Sequence, residues 1–167
     1  ENFYIVHFNR QPGVADRHFD THRDQFLNNL YRTKQWLYEP APAAQGMPFL
    51  SMASAEHATG EPLLKPEELK VFSNAFALSG FTGGINWYRN FTRNWGIIGD
   101  YKQHISQPTL MIYGDHDMVP ALPDLDQYVE NLSVVNLPCG HWIQQECPQE
   151  TTQAILTWLD KHYRTST

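Results

Sequence analysis

The chain has 167 residues, of which 41% are hydrophobic and 13% aromatic, a composition typical of a globular domain and not of a disordered segment. Twelve basic and eighteen acidic side chains give a formal charge of −6, with no run of Lys or Arg longer than a pair, which argues against nucleic acid as a partner. The longest apolar runs are far shorter than the roughly 20 residues of a membrane-spanning helix, so we expect a soluble protein.

The two cysteines bear on the cellular compartment. Cys139 and Cys147 cannot form a dense disulfide scaffold, and a bridge between them would close only a small loop. We therefore expect two reduced thiols and a cytoplasmic location.

The first third of the chain combines strand-type and helix-type patterns. The N-terminal ENFYIVHFN contains residues typical of a strand, and since nothing before it could pair with it, we interpret it as a segment whose neighbours lie upstream. Residues 14 to 31 carry apolar side chains at spacings of about three to four, which predicts an amphipathic helix. These side chains are Phe19, Phe26, Leu27 and Leu30.

A long connection and two helices are predicted next. Residues 33 to 65 are rich in Pro, Ala, Gly and Ser, which predicts a mostly irregular connection of the kind found in functional lids. The helix after it has Pro66 in its first turn and Gly80 as its stop signal. A shorter helix follows, on which Tyr88, Phe91 and Trp95 share one face.

The last third has the pattern of an α/β structure. The stretches PTLMIYGDHDMVP and LSVVNLPCGHW each contain a short apolar run ending at a loop, and the helix PQETTQAILTWLDKHY closes the chain. Strand, loop and helix in alternation predict parallel strands, whose carboxyl ends carry the chemistry in such sheets.

Asp117 and His141 follow these two strands. An aspartate after one strand and a histidine after the next are the relay half of a nucleophile–histidine–acid triad, in which the carboxylate orients the imidazole. Asp117 is the better candidate than Asp115, because it lies at the tip of the loop. The alternative is that both aspartates only stabilise a polar turn.

Other interpretations of individual residues remain open or are disfavoured. The aromatic stripe that contains Tyr88 is also typical of a helix core. Arg89 and Arg93 predict a solvated or salt-bridged helix face. Cys139 is too close in sequence to His141 to be its nucleophile and is interpreted as a packing residue. Adjacent residues of the DHD run point apart, so no metal site is predicted.

Three motifs in order, NWYRN, GDHDMVP and CGHW, together with NFYIVHFNRQPGVAD at the N-terminus, resemble the soluble-type epoxide hydrolases of the α/β-hydrolase fold. The resemblance covers nearly the whole chain and is weakest across residues 33 to 65. It implies the C-terminal half of that fold, with a mostly helical cap over residues 1–95 and, over residues 96–167, the last two strands and helices of the core.

The resemblance also implies roles for four residues. His141 would be the general base that activates water, and Asp117 the carboxylate that orients it. Tyr88 and Tyr4 would donate hydrogen bonds from the cap to the epoxide oxygen. The family's nucleophilic aspartate lies on an elbow before the cap; because this chain has neither a GxDxG nor a GxSxG elbow, we expect that residue upstream.

The expected reaction opens an apolar epoxide to a vicinal diol through a covalent aspartyl ester, with water as co-substrate and no cofactor. The expected partner is the N-terminal part of the same hydrolase, with a homodimer as a further option. Within the same fold, a haloalkane dehalogenase or an esterase is the alternative, although the cap tyrosine argues against the dehalogenase. From another class, the chain would be a non-catalytic binding or accessory fragment.

Overall fold

The computed structural model describes residues 3–38, 49–56 and 58–163 of the chain. They belong to two compact units, Glu1–Asp100 and Tyr101–Thr167. The first unit is mainly helical, and the second combines a parallel pair of strands with helices. None of the helices in the described ranges is both long and apolar enough to cross a membrane.

Helices make up most of the described part of the first unit. They are α1 (Tyr4–Arg10), α2 (Val14–Thr21), α3 (Arg23–Leu30), α4 (Phe49–Ser54), α5 (Pro66–Ser79), α6 (Thr82–Arg89) and α7 (Phe91–Ile98). A short antiparallel pair, β1 (Arg32–Thr33) and β2 (Glu61–Pro62), brackets the connection between α3 and α5.

Within the N-terminal segment, Tyr4–Arg10 form a helix, so the strand that its residue types indicate is wrong. Tyr4 and Phe8 lie four residues apart and therefore share one face of α1, where both join the aromatic core of the unit. Burial of this face outweighs the weak strand preference of Ile5 and Val6, because tertiary packing routinely overrides local propensity.

Residues 14 to 31 form two helices, α2 and α3, instead of the one that was predicted. The break falls at His22, whose φ of −109° and ψ of 28° are not helical. Both helices contribute to the same core, in which the rings of Phe19 and Phe26 stack with centroids 4.1 Å apart. The buried members of that core are Phe8, Ala15, Phe19, Phe26, Leu27, Ala53, Phe81 and Ile85.

The predicted irregular connection contains ordered elements. A 3₁₀ turn at Gln35–Leu37 and α4 lie within it, whereas residues 39–48 lie outside the described residues. The buried Asn29 holds α4 in place, since its Nδ2 donates to the carbonyl oxygens of Met52 and Ala55 at 2.8 and 2.9 Å. Side-chain bonds of this kind leave no periodic signal in the sequence.

The predicted helix with Pro66 and Gly80 is confirmed as α5, with Pro66 in the first turn and Gly80 at the C-cap. The next predicted helix is divided at Asn90 into α6 and α7. The rings of Tyr88 and Phe91 remain in contact across this break at 5.8 Å, but Trp95 is 83% exposed.

The second unit contains the predicted parallel strands. Strand β3 (Thr109–Gly114) pairs with β4 (Leu132–Leu137) in a register that joins Thr109 to Leu132 and Gly114 to Leu137. A short helix α8 (Ile143–Glu146) and a long helix α9 (Pro148–Tyr163) follow, and α9 packs on both strands. The α/β prediction is confirmed, and the loops after β3 and β4 leave the same edge of the pair.

Candidate active site

The second unit brings Asp117 and His141 together. Nδ1 of His141 lies 2.8 Å from Oδ1 of Asp117, and the N–H of Val119 donates to the same oxygen at 2.8 Å. The carboxylate is mostly buried, whereas the imidazole is partly exposed. No hydrogen bond to Nε2 of His141 is found within the described residues, so this nitrogen can accept a proton. Asp115 is exposed and makes no such contact with the ring.

Backbone hydrogen bonds hold the two loops beside each other. The N–H of Asp115 donates to the carbonyl of Leu137 at 2.8 Å, and the N–H of His116 donates to the carbonyl of Cys139 at 3.0 Å. The loops pass each other at Gly114, where even a methyl group would collide with backbone oxygens. The close approach of Asp117 and His141 therefore depends on glycine at this position.

Replacing Gly114 with Ala is expected to force the loops apart. A Cβ atom there would lie 2.2 Å from the carbonyl oxygen of Gly140 and 2.6 Å from that of Cys139, and neither atom can rotate away. We expect the free energy of unfolding to fall by about 1–3 kcal/mol, as in overpacked interiors. Denaturant unfolding of the purified protein measures this change.

Gly96 provides the matched control for that substitution. It lies inside α7, and nothing would approach its Cβ within 4 Å. Gly96→Ala should therefore leave stability unchanged or raise it by up to about 1 kcal/mol. A Gly114→Ala protein as stable as the parent would contradict the account of the loop crossing.

Cys139 is a buried thiol next to the site. Burial raises its pKa to about 12, and a hydrogen bond with Cys147 acts in the same direction. The thiolate needed for nucleophilic attack is therefore scarce near neutral pH, consistent with a packing residue. The part of the chain that the structure describes holds no group of His, Cys, Asp and Glu side chains suited to a metal ion.

The first unit brings Tyr4 and Tyr88 together. Their rings meet edge to face with centroids 5.1 Å apart, inside an aromatic cluster that also contains Phe8 and Phe49. Burial, the neighbouring Tyr88 and a hydrogen bond between the two side chains raise the pKa of Tyr4 to about 12. Tyr4 therefore keeps its proton at neutral pH and remains a hydrogen-bond donor.

A buried ion pair and two hydrogen bonds to the backbone join the helix of Tyr88 to its neighbours. Arg89, next to Tyr88, directs Nη1 and Nη2 at the carboxylate of Asp16, at 3.1 and 2.5 Å, and its Nε donates to the carbonyl of Phe8 at 3.1 Å. In return, Nδ2 of Asn9 donates to the carbonyl of Tyr88 at 3.1 Å. These bonds join α6 to α1 and α2, and they fix the spacing of the tyrosines.

The environment of Asp16 shows the strength of this pairing. Its hydrogen bonds with Arg89 lower the pKa of the carboxyl to about 2 although burial opposes the shift, so the pair is fully charged at neutral pH. Of the two alternatives predicted for Arg89, a solvated or a salt-bridged helix face, the structure shows the salt bridge, and the side chain is largely buried. Its partner lies 73 residues away, and no local pattern points to it.

No protein-family model matches the chain. Epoxide hydrolase A of Mycobacterium tuberculosis is 33% identical to it over 172 residues, which cover 95% of this chain and 52% of the relative. Bifunctional epoxide hydrolase 2 of Sus scrofa is 28% identical over 169 residues, covering 96% of this chain and 30% of the relative. The chain thus spans about half the length of the first relative and less of the second.

Solved structures of the same class share the fold. Epoxide hydrolase A from Mycobacterium thermoresistibile matches with a TM-score of 0.77 and 30% identity, over 95% of this chain and 53% of that one. Epoxide hydrolase I of potato, Solanum tuberosum, matches with a TM-score of 0.72 and 26% identity, over 96% and 53%. The predicted family resemblance is confirmed. The chain is a relative of the epoxide hydrolases and corresponds to the C-terminal half of their α/β-hydrolase fold.

Proposed function

We propose that this chain is part of an epoxide hydrolase and supplies the base and the oxygen-binding phenols of its two-step reaction. The observation that carries the proposal is the 2.8 Å contact between His141 and Asp117, because it joins two loops of a chain related to epoxide hydrolases. The phenol pair, Tyr4 and Tyr88, supports it independently, since epoxide opening needs proton donors near the departing oxygen.

The first step is ring opening. An aspartate from the N-terminal part of the same hydrolase attacks an epoxide carbon, the carbon–oxygen bond breaks, and a hydroxyalkyl ester forms. Tyr88 and Tyr4 donate hydrogen bonds to the oxygen while negative charge develops on it, and one of the two phenols transfers its proton to complete the hydroxyl group. A phenol suits this task because it is protonated at neutral pH yet donates strongly as charge builds.

The second step is ester hydrolysis. Nε2 of His141 takes a proton from water, and the resulting hydroxide attacks the ester carbonyl. Asp117 accepts the hydrogen bond from Nδ1, fixes the tautomer and stabilises the imidazolium that forms. The bond between the carbonyl carbon and the diol oxygen then breaks, and this oxygen takes the proton of the imidazolium. The released carboxyl group loses its proton, which restores the phenol, so one epoxide and one water give one vicinal diol without a cofactor.

Several finer assignments belong to the same proposal. The helical first unit acts as the cap and the second unit as part of the core, with an apolar epoxide as the substrate class. The N-terminal part of the hydrolase is the partner that carries the nucleophile, with a homodimer as a further option. Two free thiols favour the cytoplasm.

The alternatives differ in what they need from the cap. A haloalkane dehalogenase of this fold must stabilise a halide, which ring N–H or amide donors do better than the paired phenols of Tyr4 and Tyr88. An esterase needs no proton donor at this place in the cap. A binding fragment needs neither the phenols nor the pairing of His141 with Asp117.

Single turnover in ¹⁸O-labelled water tests the two-step route. We expect a hydrolase that contains this chain, mixed in excess with an apolar aryl epoxide such as styrene oxide, to release unlabelled diol in the first turnover. The label should enter the nucleophilic aspartate, because water attacks the carbonyl carbon of the ester. Mass spectrometry of the diol and of the digested protein reads both products. Label in the first diol would contradict the ester route, and an absence of turnover would contradict the function.

A further inference from the structure

Glu146 lies outside the four residues that the reaction uses directly, yet it touches the loop that carries His141. Its two carboxylate oxygens accept different backbone hydrogen bonds. Oε2 accepts from the N–H of Gly140 at 3.0 Å, and Oε1 accepts from the N–H of Trp142 at 3.1 Å. These N–H groups belong to the peptide that joins Cys139 to Gly140 and to the peptide that joins His141 to Trp142. One side chain therefore fixes the backbone both before and after the proposed base.

We infer that Glu146 is a positioning residue for His141, acting through the backbone of the loop between β4 and α8. The inference rests on the proposed function and deepens it, because it assigns a residue to the hydrolytic step alone. A carboxylate that accepts from two N–H groups holds them more firmly than a neutral acceptor would. The planes of both peptides, and with them the direction of the His141 side chain, are set by this contact.

Contacts between α8 and α9 fix the position of the Glu146 side chain. Helix α8 is tied to α9 by Thr151, whose Oγ1 contacts the carbonyl oxygens of Ile143 at 3.1 Å and Cys147 at 2.7 Å. The N–H of Thr151 also donates to the carbonyl of Cys147 at 2.9 Å, and the residue is only 5% exposed. Glu146 therefore lies between two anchored residues, Ile143 at the start of α8 and Cys147 at its C-cap.

The opposite side of the imidazole is also fixed. Asp117 is held by the N–H of Val119 and meets Nδ1 of His141 at 2.8 Å. The contact between the ring and Asp117 requires the loop to present His141 at one angle. Rotation of either peptide that Glu146 holds would lengthen this bond and turn Nε2 away from the attacking water. Displacement of a catalytic group by about 1 Å costs on the order of 100-fold in rate.

The test is Glu146→Gln in the hydrolase that contains this chain. Glutamine keeps the shape of the side chain, but its NH₂ group cannot accept a hydrogen bond, so one of the two backbone N–H groups loses its partner. We expect hydrolysis of the ester to slow by roughly 10- to 100-fold while ester formation keeps its rate. Rapid mixing with styrene oxide and quenching in acid, followed by mass spectrometry, measures both steps.

Glu150→Gln is the matched control. Glu150 lies exposed in the first turn of α9, so its substitution makes the same change of charge and volume four residues away. Both steps should keep their parental rates in this variant. Unchanged ester hydrolysis in Glu146→Gln would overturn the inference. An equal slowing of both steps would also overturn it, because a purely structural role disturbs the whole site.

A second readout separates this inference from the proposed function. The proton on Nδ1 of His141, bonded to Asp117, gives a downfield resonance in the NMR spectrum, which we expect to shift upfield or disappear in Glu146→Gln and to persist in Glu150→Gln. A parent protein with this resonance but no epoxide turnover would contradict the function and leave the positioning role standing. An unshifted resonance in Glu146→Gln would remove the role. If Glu146→Gln fails to fold, Glu146→Asp takes its place with the same expectations, since the shorter side chain cannot span both N–H groups.

Discussion

Replacing His141 with Gln is expected to halt the hydrolase after ring opening, with the covalent ester as the species that accumulates. Glutamine fills a similar volume but cannot take a proton from water at neutral pH, so the second step loses its base. Ring opening does not use His141 in the proposed scheme and should continue. General bases contribute about 10²- to 10⁴-fold to rate, and we expect a loss of that size in ester hydrolysis.

Intact-mass spectrometry after mixing the variant with styrene oxide measures this outcome. The protein should gain the mass of one epoxide within the time of a single parental turnover and keep it. His104→Gln is the control, because that ring pairs with Glu130 at 3.4 Å and has no contact with Asp117. A His141→Gln protein that turns over normally, or one that loses activity without forming an adduct, would argue against the role of His141 as base of the second step.

Replacing Tyr88 with Phe is expected to slow ring opening and to leave ester hydrolysis unchanged, which is the reverse of the result expected for His141→Gln. Ester formation should slow on the order of 100-fold, since removal of one donor from a developing oxyanion costs about 10²- to 10³-fold and Tyr4 still donates. Ester hydrolysis does not involve the epoxide oxygen and should keep its rate. The fold should survive, because phenylalanine retains the ring contacts with Tyr4, Phe8 and Phe91.

Pre-steady-state mixing under single-turnover conditions separates the two rates for this variant. Tyr38→Phe is the control, since this substitution also removes a phenol hydroxyl group. Tyr38 lies in the same unit, and its side chain is 62% exposed. Normal ester formation in Tyr88→Phe would exclude Tyr88 from the reaction. Slow ester formation in both variants would show that the effect comes from the loss of any phenol hydroxyl group in the first unit and is not specific to Tyr88.

These two substitutions and Glu146→Gln test the two proposed steps separately. Changes at Tyr88 are expected to slow the formation of the ester, and changes at His141 and Glu146 to slow its hydrolysis. Arg89 belongs with the first group, because its bond to the carbonyl of Phe8 joins α6 to α1, the helices that carry Tyr88 and Tyr4, and its ion pair with Asp16 joins α6 to α2. Each proposed step thus depends on structural contacts within one unit.

The sequence alone was sufficient for the features that local patterns encode. Two apolar runs ending in polar loops predicted β3 and β4, and the expected alternation of strand, loop and helix predicted their parallel pairing, although only a 3₁₀ turn, Leu125–Gln127, lies between them. Pro66 and Gly80 marked the ends of α5, because the backbone preferences of proline and glycine do not depend on tertiary contacts. Asp117 and His141 were predicted as neighbours because parallel strands bring the loops at their carboxyl ends together.

Only the tertiary structure decided the features that join distant residues. The N-terminal segment has strand-type residues but is the helix α1, because Tyr4 and Phe8 gain more by packing on the aromatic core than their neighbours lose in local preference. No sequence pattern predicts that Arg89 pairs with Asp16 or that Glu146 accepts hydrogen bonds from the loop that carries His141. Both contacts depend on the positions of side chains in the folded protein, which neither hydrophobic periodicity nor turn preference encodes.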